Sequence, residues 1–229
     1  LDRTGCSVLL AVPAGCLVAC LWAAVTGFWI VRVSGHAFAL LTLIMSLVLY
    51  YLALSQSWLT GGDDGFPFTV DNIRFGPLDL SPPDFWVGYS VVLIFFLVGF
   101  LLYSWLVKIS AWSRVFMSIR ENESQAAVLG YEVGWCKFVA WVGAGAISGL
   151  AGALYAVSFR YANALWFHWT VSGDAVVWTL FGGSGSMAGP GVGTIMLILF
   201  KDVVSTWNER IYPILVGALL VIMVLASPE

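Results

Sequence analysis

Six stretches of this chain contain no Asp, Glu, Lys or Arg: residues 4–31, 33–62, 85–107, 138–159, 175–200 and 211–228. A spanning helix needs roughly 20 consecutive apolar residues, because the hydrocarbon core of a bilayer is about 30 Å thick and a helix rises about 1.5 Å per residue. Backbone N–H and C=O groups have no water to bond inside lipid, so only helices and closed barrels cross it. The runs show little of the period-2 alternation of barrel strands. Their composition also excludes a soluble domain: hydrophobic residues make up 60% of the chain and charged residues 10%, against about 25% charged in soluble folds. The predicted fold is therefore all-α, a single polytopic membrane domain over residues 1–229 with about seven passes.

The net charge of −3 is too small to draw a nucleic acid or a charged surface partner, so the placement of charge carries more than its sum. Segment 55–85 holds Asp63, Asp64, Asp71, Asp79 and Asp84 against Arg74 alone, whereas Lys108, Arg114 and Arg120 fall in segment 108–136, with Lys137 beside it. Lys and Arg near helix ends stay on the cytoplasmic side. That rule makes 108–136 cytoplasmic and 55–85 an extracytoplasmic loop, and puts Arg32 on the cytoplasmic side and Leu1 outside. The chain does not open on Met, and an outside start without a signal segment leads us to expect further helices upstream. The run that follows Arg3 is too long for a signal peptide and continues into another helix. Pro13, ahead of Ala14-Gly15-Cys16, argues against a lipidation site. Cys6, Cys16, Cys20 and Cys136 have no metal or disulfide spacing and are expected to be small packing residues.

Breakers divide the chain into helices at about 7–30, 36–54, 86–106 and 137–157. The loop carries Thr60-Gly61-Gly62-Asp63-Asp64-Gly65 and Ser81-Pro82-Pro83, the chemistry of an ordered turn. In the fourth helix Ala144, Ser148, Gly152 and Ala156 recur every four residues, with Gly145, Gly149 and Ala153 beside them. Such rows let helix backbones approach closely, and packing within the chain is expected before a dimer face. A further helix from about 173 to 181 runs into Gly182-Gly183-Ser184-Gly185-Ser186-Met187-Ala188-Gly189-Pro190-Gly191-Val192-Gly193, and another follows to about 204. At about 1 kcal/mol per Gly and 3 per Pro, a continuous helix is excluded there. Two alternatives stand: a broken helix near 182–190 lining a wet or protein-lined passage, or a tight turn between two helices. Asp174 is expected to cap the broken helix. A last helix at about 212–226 puts the C-terminus in the cytoplasm. Lys201 and Arg210 then fall outside, an exception softened by Asp202 and Glu209.

Several chemistries find no support. The glycine cluster lacks the GK[ST] ending of a phosphate loop and the βαβ setting of a dinucleotide fingerprint. His36 and His168 have no acids or cysteines at ligand spacing, so no metal site is expected. No charge interrupts an apolar run, which counts against an ion relay. No nucleophile, base and orienting group occur together, so no enzyme activity is expected. Trp22, Trp58, Trp86, Trp105, Trp166 and Trp169 lie near run ends, as an aromatic belt requires.

Between two of these runs lies Arg120-Glu121-Asn122-Glu123-Ser124-Gln125-Ala126-Ala127-Val128-Leu129-Gly130, a polar helix with a glycine stop. It is either a docking element for a soluble partner or an interfacial amphipathic helix without one. Together with Ser34 to Leu43, the Thr60 to Gly65 loop, Ala146 to Tyr155, and Gly182 to Ser186 with Gly189-Pro190, it resembles the permease subunit of branched-chain amino acid ABC importers. The resemblance covers nearly the whole chain and is strongest to the second of the two permeases in such systems. It implies a heteromeric importer in a bacterial inner membrane: a homologous permease, two cytoplasmic ATPases that use the ATP, and a periplasmic solute-binding protein, with no cofactor on this chain. Carried onto this sequence, Glu123, Ala126, Ala127 and Gly130 fall on the ATPase-coupling helix, and the flanking charges Arg120 and Glu121 are assigned polar contacts to the ATPase. Gly182, Gly183, Gly185, Gly189 and Pro190 are assigned to the translocation pathway, and Thr60, Gly61, Gly62 and Gly65 to the extracytoplasmic loop. The same pattern also serves urea or short amides and aromatic acids. A secondary transporter using the broken helix is the alternative from another class.

Overall fold

The structure, a computed structural model, describes residues 8–33, 35–67, 73–75, 78–80, 85–108, 111–183, 188–207, 214–218, 221 and 225. Asp71 and Asp84 of the acidic loop and Gly185 of the glycine cluster lie outside them, as does most of the last predicted helix, of which 214–218 is helical. The described residues are predominantly helical and fall into two compact units, Leu1–Phe167 and His168–Glu229.

The first unit is built on α1 (Val8–Ile30), α2 (His36–Ser55), the short α3 (Ser57–Thr60), α4 (Phe85–Lys108), α5 (Ala111–Glu121), α6 (Glu123–Val128) and α7 (Val133–Phe159), closed by a 3-10 turn at Ala164–Phe167. Three helices are long and apolar enough to cross a membrane among the described residues, over Ala11–Ile30, Ala37–Ser55 and Val133–Phe159, and Gly88–Ser104 is a shorter apolar stretch. Seven passes are thus not reached by the described residues alone. The observed helices overrun the predicted ones most at α7, which starts four residues before Lys137. Charge ends a membrane run, whereas a helix continues into water as long as its backbone bonds are made.

The centre of this unit is a seam of small residues. Gly15 meets Ala153, Gly149 meets Ala19, Gly145 meets Ala23 and Gly27 meets Trp141. Numbers rise on α1 while they fall on α7, so the two run antiparallel, touching once per turn along i, i+4 rows. The row Gly145, Gly149, Ala153 therefore packs within the chain, as expected. The neighbouring Ala144, Ser148 and Gly152 are exposed. Polar contacts follow the same seam: the Cys16 thiol donates to Ala146 O at 3.2 Å, and Trp141 Nε1 donates to Thr26 Oγ1 at 3.4 Å. Val92 and Phe95 of α4 pack onto buried Val12 and Leu154. Helix α2 joins through Phe38, edge-on to Trp141 at 5.8 Å, and through Ser46 Oγ, which donates to Phe167 O at 2.6 Å. Elsewhere α1, α2 and α4 present Leu17, Leu21, Val25, Leu40, Ile44, Leu93, Phe96 and Leu101 outward. That much exposed apolar surface is at home in lipid and not in water.

The fold departs from all-α at the loops. Strands β1 (Phe66–Pro67) and β4 (Tyr161–Ala162) pair antiparallel, and β2 (Ile73–Phe75) pairs with β3 (Leu78–Leu80). Outside the helices the backbone still has to satisfy its donors and acceptors, and short ladders do so. The first ladder ties the loop after α2 to the far end of α7.

In the second unit α8 (Trp169–Gly182) and α9 (Gly189–Trp207) form a hairpin. Helix α8 begins four residues earlier than predicted, and its cap is His168, whose Nδ1 accepts the Thr170 N–H at 3.4 Å. Asp174 lies inside the helix and is not its cap. An imidazole acceptor was not expected in a role usually filled by Ser, Thr, Asp or Asn.

Candidate functional site

The segment expected to couple to a soluble partner is two helices joined at one extended residue. Asn122 (φ −156°, ψ 106°) ends α5 and caps α6: its Oδ1 accepts from Ser124 N at 3.1 Å, Gln125 N at 3.2 Å and Ser124 Oγ at 2.7 Å. At the other end Gly130 takes φ +91°. Its N–H bonds Ala127 O at 3.0 Å, and the Tyr131 N–H bonds Ala126 O at 3.2 Å. This pair of bonds is the Schellman stop, which a glycine permits at no steric cost. Between the two caps Ala126 is buried (1% exposed), while Val128 and Leu129 stand out at 89% and 73%. Arg120, Glu121, Glu123, Ala127 and Gly130 are exposed. Glu123 Oε1 lies 2.6 Å from Lys137 Nζ on α7. Of the two alanines expected to meet a partner, only Ala127 is open; Val128 and Leu129, which carried no assignment, form the projecting tip. The signal available was a pair of apolar residues at the end of an otherwise polar run.

The Thr60 to Gly65 loop sits at the opposite end of α7. Thr60 Oγ1 reaches the carbonyls of Ala53 and Gln56 and accepts from Gly62 N at 3.3 Å. Gly61, Gly62 and Gly65 all have positive φ. A Cβ on Gly65 would lie 2.6 Å from Tyr161 Cζ and 2.7 Å from Ala162 O. The Tyr161 hydroxyl donates to Asp64 O at 2.6 Å, and Asn163 Nδ2 donates to Tyr161 Oη at 3.1 Å and to Asp63 O at 3.4 Å. Tyr161 and Asn163 were not singled out from the sequence, although they stand directly after a membrane run, where polar side chains reach water.

In the second unit the glycines serve close approach. A Cβ on Gly182 would fall on the Gly189 carbonyl, and one on Gly193 would fall on Trp178 O, beside the Gly182 backbone. Gly189 and Gly193 are buried, and Gly183 leaves α8 with φ +89°. Pro190 stands at the second position of α9, where its missing N–H is not needed. Gly193, absent from the sequence-based assignment, brings α9 against the α8 backbone at Trp178 and Gly182.

A set of helices with long charge-free runs and large apolar side chains turned outward, and with capped polar segments at opposite ends of its central helix, defines a membrane-embedded protein. The chain belongs to the family described as branched-chain amino acid transport system / permease component, whose family model matches residues 1–224. That is a family of transport permeases and not an enzyme class. The chain is similar to the high-affinity branched-chain amino acid transport system permease protein LivM of Escherichia coli (strain K12), 23% identical over 241 residues, covering 96% of this chain and 54% of that protein. The LivM protein of Salmonella typhimurium (strain LT2) is 24% identical over 226 residues, covering 89% and 52%. The chain thus spans about half the length of the curated relatives it matches. No solved structure matches it.

Proposed function

We propose that this chain is the membrane-spanning permease of an ATP-driven importer for branched-chain amino acids, forming one half of a passage with a homologous permease. Two cytoplasmic ATPases bind its coupling segment, and an extracytoplasmic binding protein delivers the substrate. The observation that carries this reading is α6: a capped helix of six residues that holds Val128 and Leu129 clear of the fold, at the end of α7 opposite the acidic loop. A short rigid helix with an apolar tip and a charged rim suits a groove on a soluble partner, where a buried apolar centre supplies affinity and the rim supplies register. The hairpin of α8 and α9 is assigned to the passage, its glycine backbone offering weak contacts from which a cargo is readily released.

The test is reconstitution with the partner permease, the two ATPases and the binding protein in liposomes, following leucine uptake and ATP hydrolysis. Gly130→Val strains the helix stop by about 1–3 kcal/mol, and Leu129→Asp puts a charge on the tip. Each is expected to lower uptake at least tenfold while the permease still inserts. Normal substrate-stimulated hydrolysis in both variants would remove the coupling role. Competition by isoleucine and valine, and none by urea, short amides or aromatic acids, is the expected substrate profile.

A further inference from the structure

Helix α6 is fastened to the rest of the chain by very little. Asn122 on one side and Gly130 on the other interrupt the helical backbone, so the six helical residues between them, with the cap residue Leu129, are bounded by two joints. Ala126 is the one buried side chain of the six. The Glu123–Lys137 pair, 2.6 Å, is its only side-chain hydrogen bond or ion pair to another helix among the described residues. Both partners meet water, Lys137 at 29% and Glu123 at 50% exposure.

The other end of α7 is held differently. Tyr161 and Asn163 grip two carbonyls of the loop, β1 pairs with β4, and Gly61 and Gly65 leave no room for a side chain. Along its length α7 is keyed to α1 by backbone contacts at Gly145 and Gly149. Interlocked backbones and several hydrogen bonds do not yield separately, whereas one exposed ion pair exchanges easily.

We infer that the Glu123–Lys137 pair is an ionic latch: closed, it holds α6 against α7, and released, it lets α6 pivot about Asn122 and Gly130 while α7 stays fixed to the loop. The use of such motion in transport rests on α6 being the docking segment; the motion itself does not. An exposed pair biases an equilibrium by about two- to five-fold, so a cation presented by a docking protein is sufficient to compete for Glu123. The rim charges Arg120, Glu121 and Glu132 are exposed near the pair in sequence and sense the same ions. At about 10 Å, the Debye length in 0.1 M salt leaves the pair only partly screened, and at 1 M it falls to about 3 Å.

The experiment uses the isolated permease in nanodiscs, with Val128→Cys as the single cysteine carrying a nitroxide, read by electron paramagnetic resonance. Lys137→Gln and Glu123→Gln are each expected to raise the ratio of mobile to immobile label two- to five-fold, and 1 M NaCl to do the same to the parent. The reversed pair, Glu123→Lys with Lys137→Glu, is expected to restore the parent ratio. Gel filtration and tryptophan fluorescence identify any variant that misfolds, and the other single variant then decides. An unchanged spectrum in a folded neutral variant overturns the latch, and so does a reversed pair that stays mobile. No ATPase or substrate enters the measurement, so failure of the docking reading would show in the transport assay and failure of the latch would show here.

Discussion

A single methyl group tests whether the α1–α7 seam organises the first unit. In Gly149→Ala the added carbon would fall on the Ala19 methyl and lie 3.1 Å from Gly15 O and 3.3 Å from Cys16 Cα. These are backbone or Cβ atoms of α1, so no change of rotamer relieves the contact. Carbon atoms settle at about 3.5–4.0 Å, and the helices have to part by roughly 1 Å. Parting them loosens the neighbouring contacts at Ala153 and Gly145 as well. Overpacking of this kind costs about 1–3 kcal/mol, while alanine regains about 1 kcal/mol of helix preference over glycine. The net expectation is a loss of up to about 2 kcal/mol. Gly152→Ala, one turn away on the same helix, meets no atom within 4 Å, so only the gain remains and stability holds or rises by up to about 1 kcal/mol. Unfolding of the purified permease from dodecylmaltoside micelles by added SDS, read through tryptophan fluorescence, measures both, since Trp141 sits on the seam. Equal shifts in the two variants would refute the packing argument.

The loop makes a parallel prediction: Gly65→Ala collides with the Tyr161 ring and the Ala162 carbonyl and is expected to raise amide exchange across residues 61–67. Tyr161→Phe, which leaves the Asp64 carbonyl without its donor, costs about 1 kcal/mol and raises exchange less. In the second unit Gly193→Val is expected to destabilise the α8–α9 hairpin in a thermal melt, whereas Gly191→Val, with open space around it, is expected to leave the midpoint nearly unchanged. For topology, cysteines at Asp63 and at Gln125, in a background without the native ones, are expected to label from opposite faces of sealed cells; reaction of both with an impermeant reagent would disprove the assignment.

The helices were legible because charge-free runs are set by lipid thickness alone, and the row Gly145, Gly149, Ala153 was legible because close packing leaves a period of four. Its partner row, Gly15, Ala19, Ala23 and Gly27, carries the same period but sits among larger residues and was not singled out. The faces of the polar segment 120–130 were lost at Asn122. A polar helix read straight through that residue keeps one phase, whereas the extended backbone there resets it and turns Ala126 inward and Val128 and Leu129 outward. The grip of Tyr161 and Asn163 on Asp64 and Asp63 joins residues about a hundred apart in sequence, a pairing that no local pattern encodes. His168 in place of Asp174 at the start of α8 has the same lesson in miniature: capping depends on where the backbone leaves the helix, and several polar residues compete for that position.

The length of α7 decides where its two attachments operate. Its 27 residues span about 40 Å, while its charge-free portion, 138–159, has 22 residues and spans about 33 Å, close to the hydrocarbon thickness. Lys137 and Arg160 bound that portion, so the helix ends stand in the headgroup region or in water. The grip of Tyr161 and Asn163 on the loop and the Glu123–Lys137 pair consequently lie at opposite ends of the spanning stretch, each within reach of soluble molecules on its own side. A carboxylate–ammonium pair buried in lipid would be too costly to open. At the end of α7 it is weak enough to be exchanged by a docking partner, and the seam with α1 is stiff enough to hold α7 in place while α6 moves.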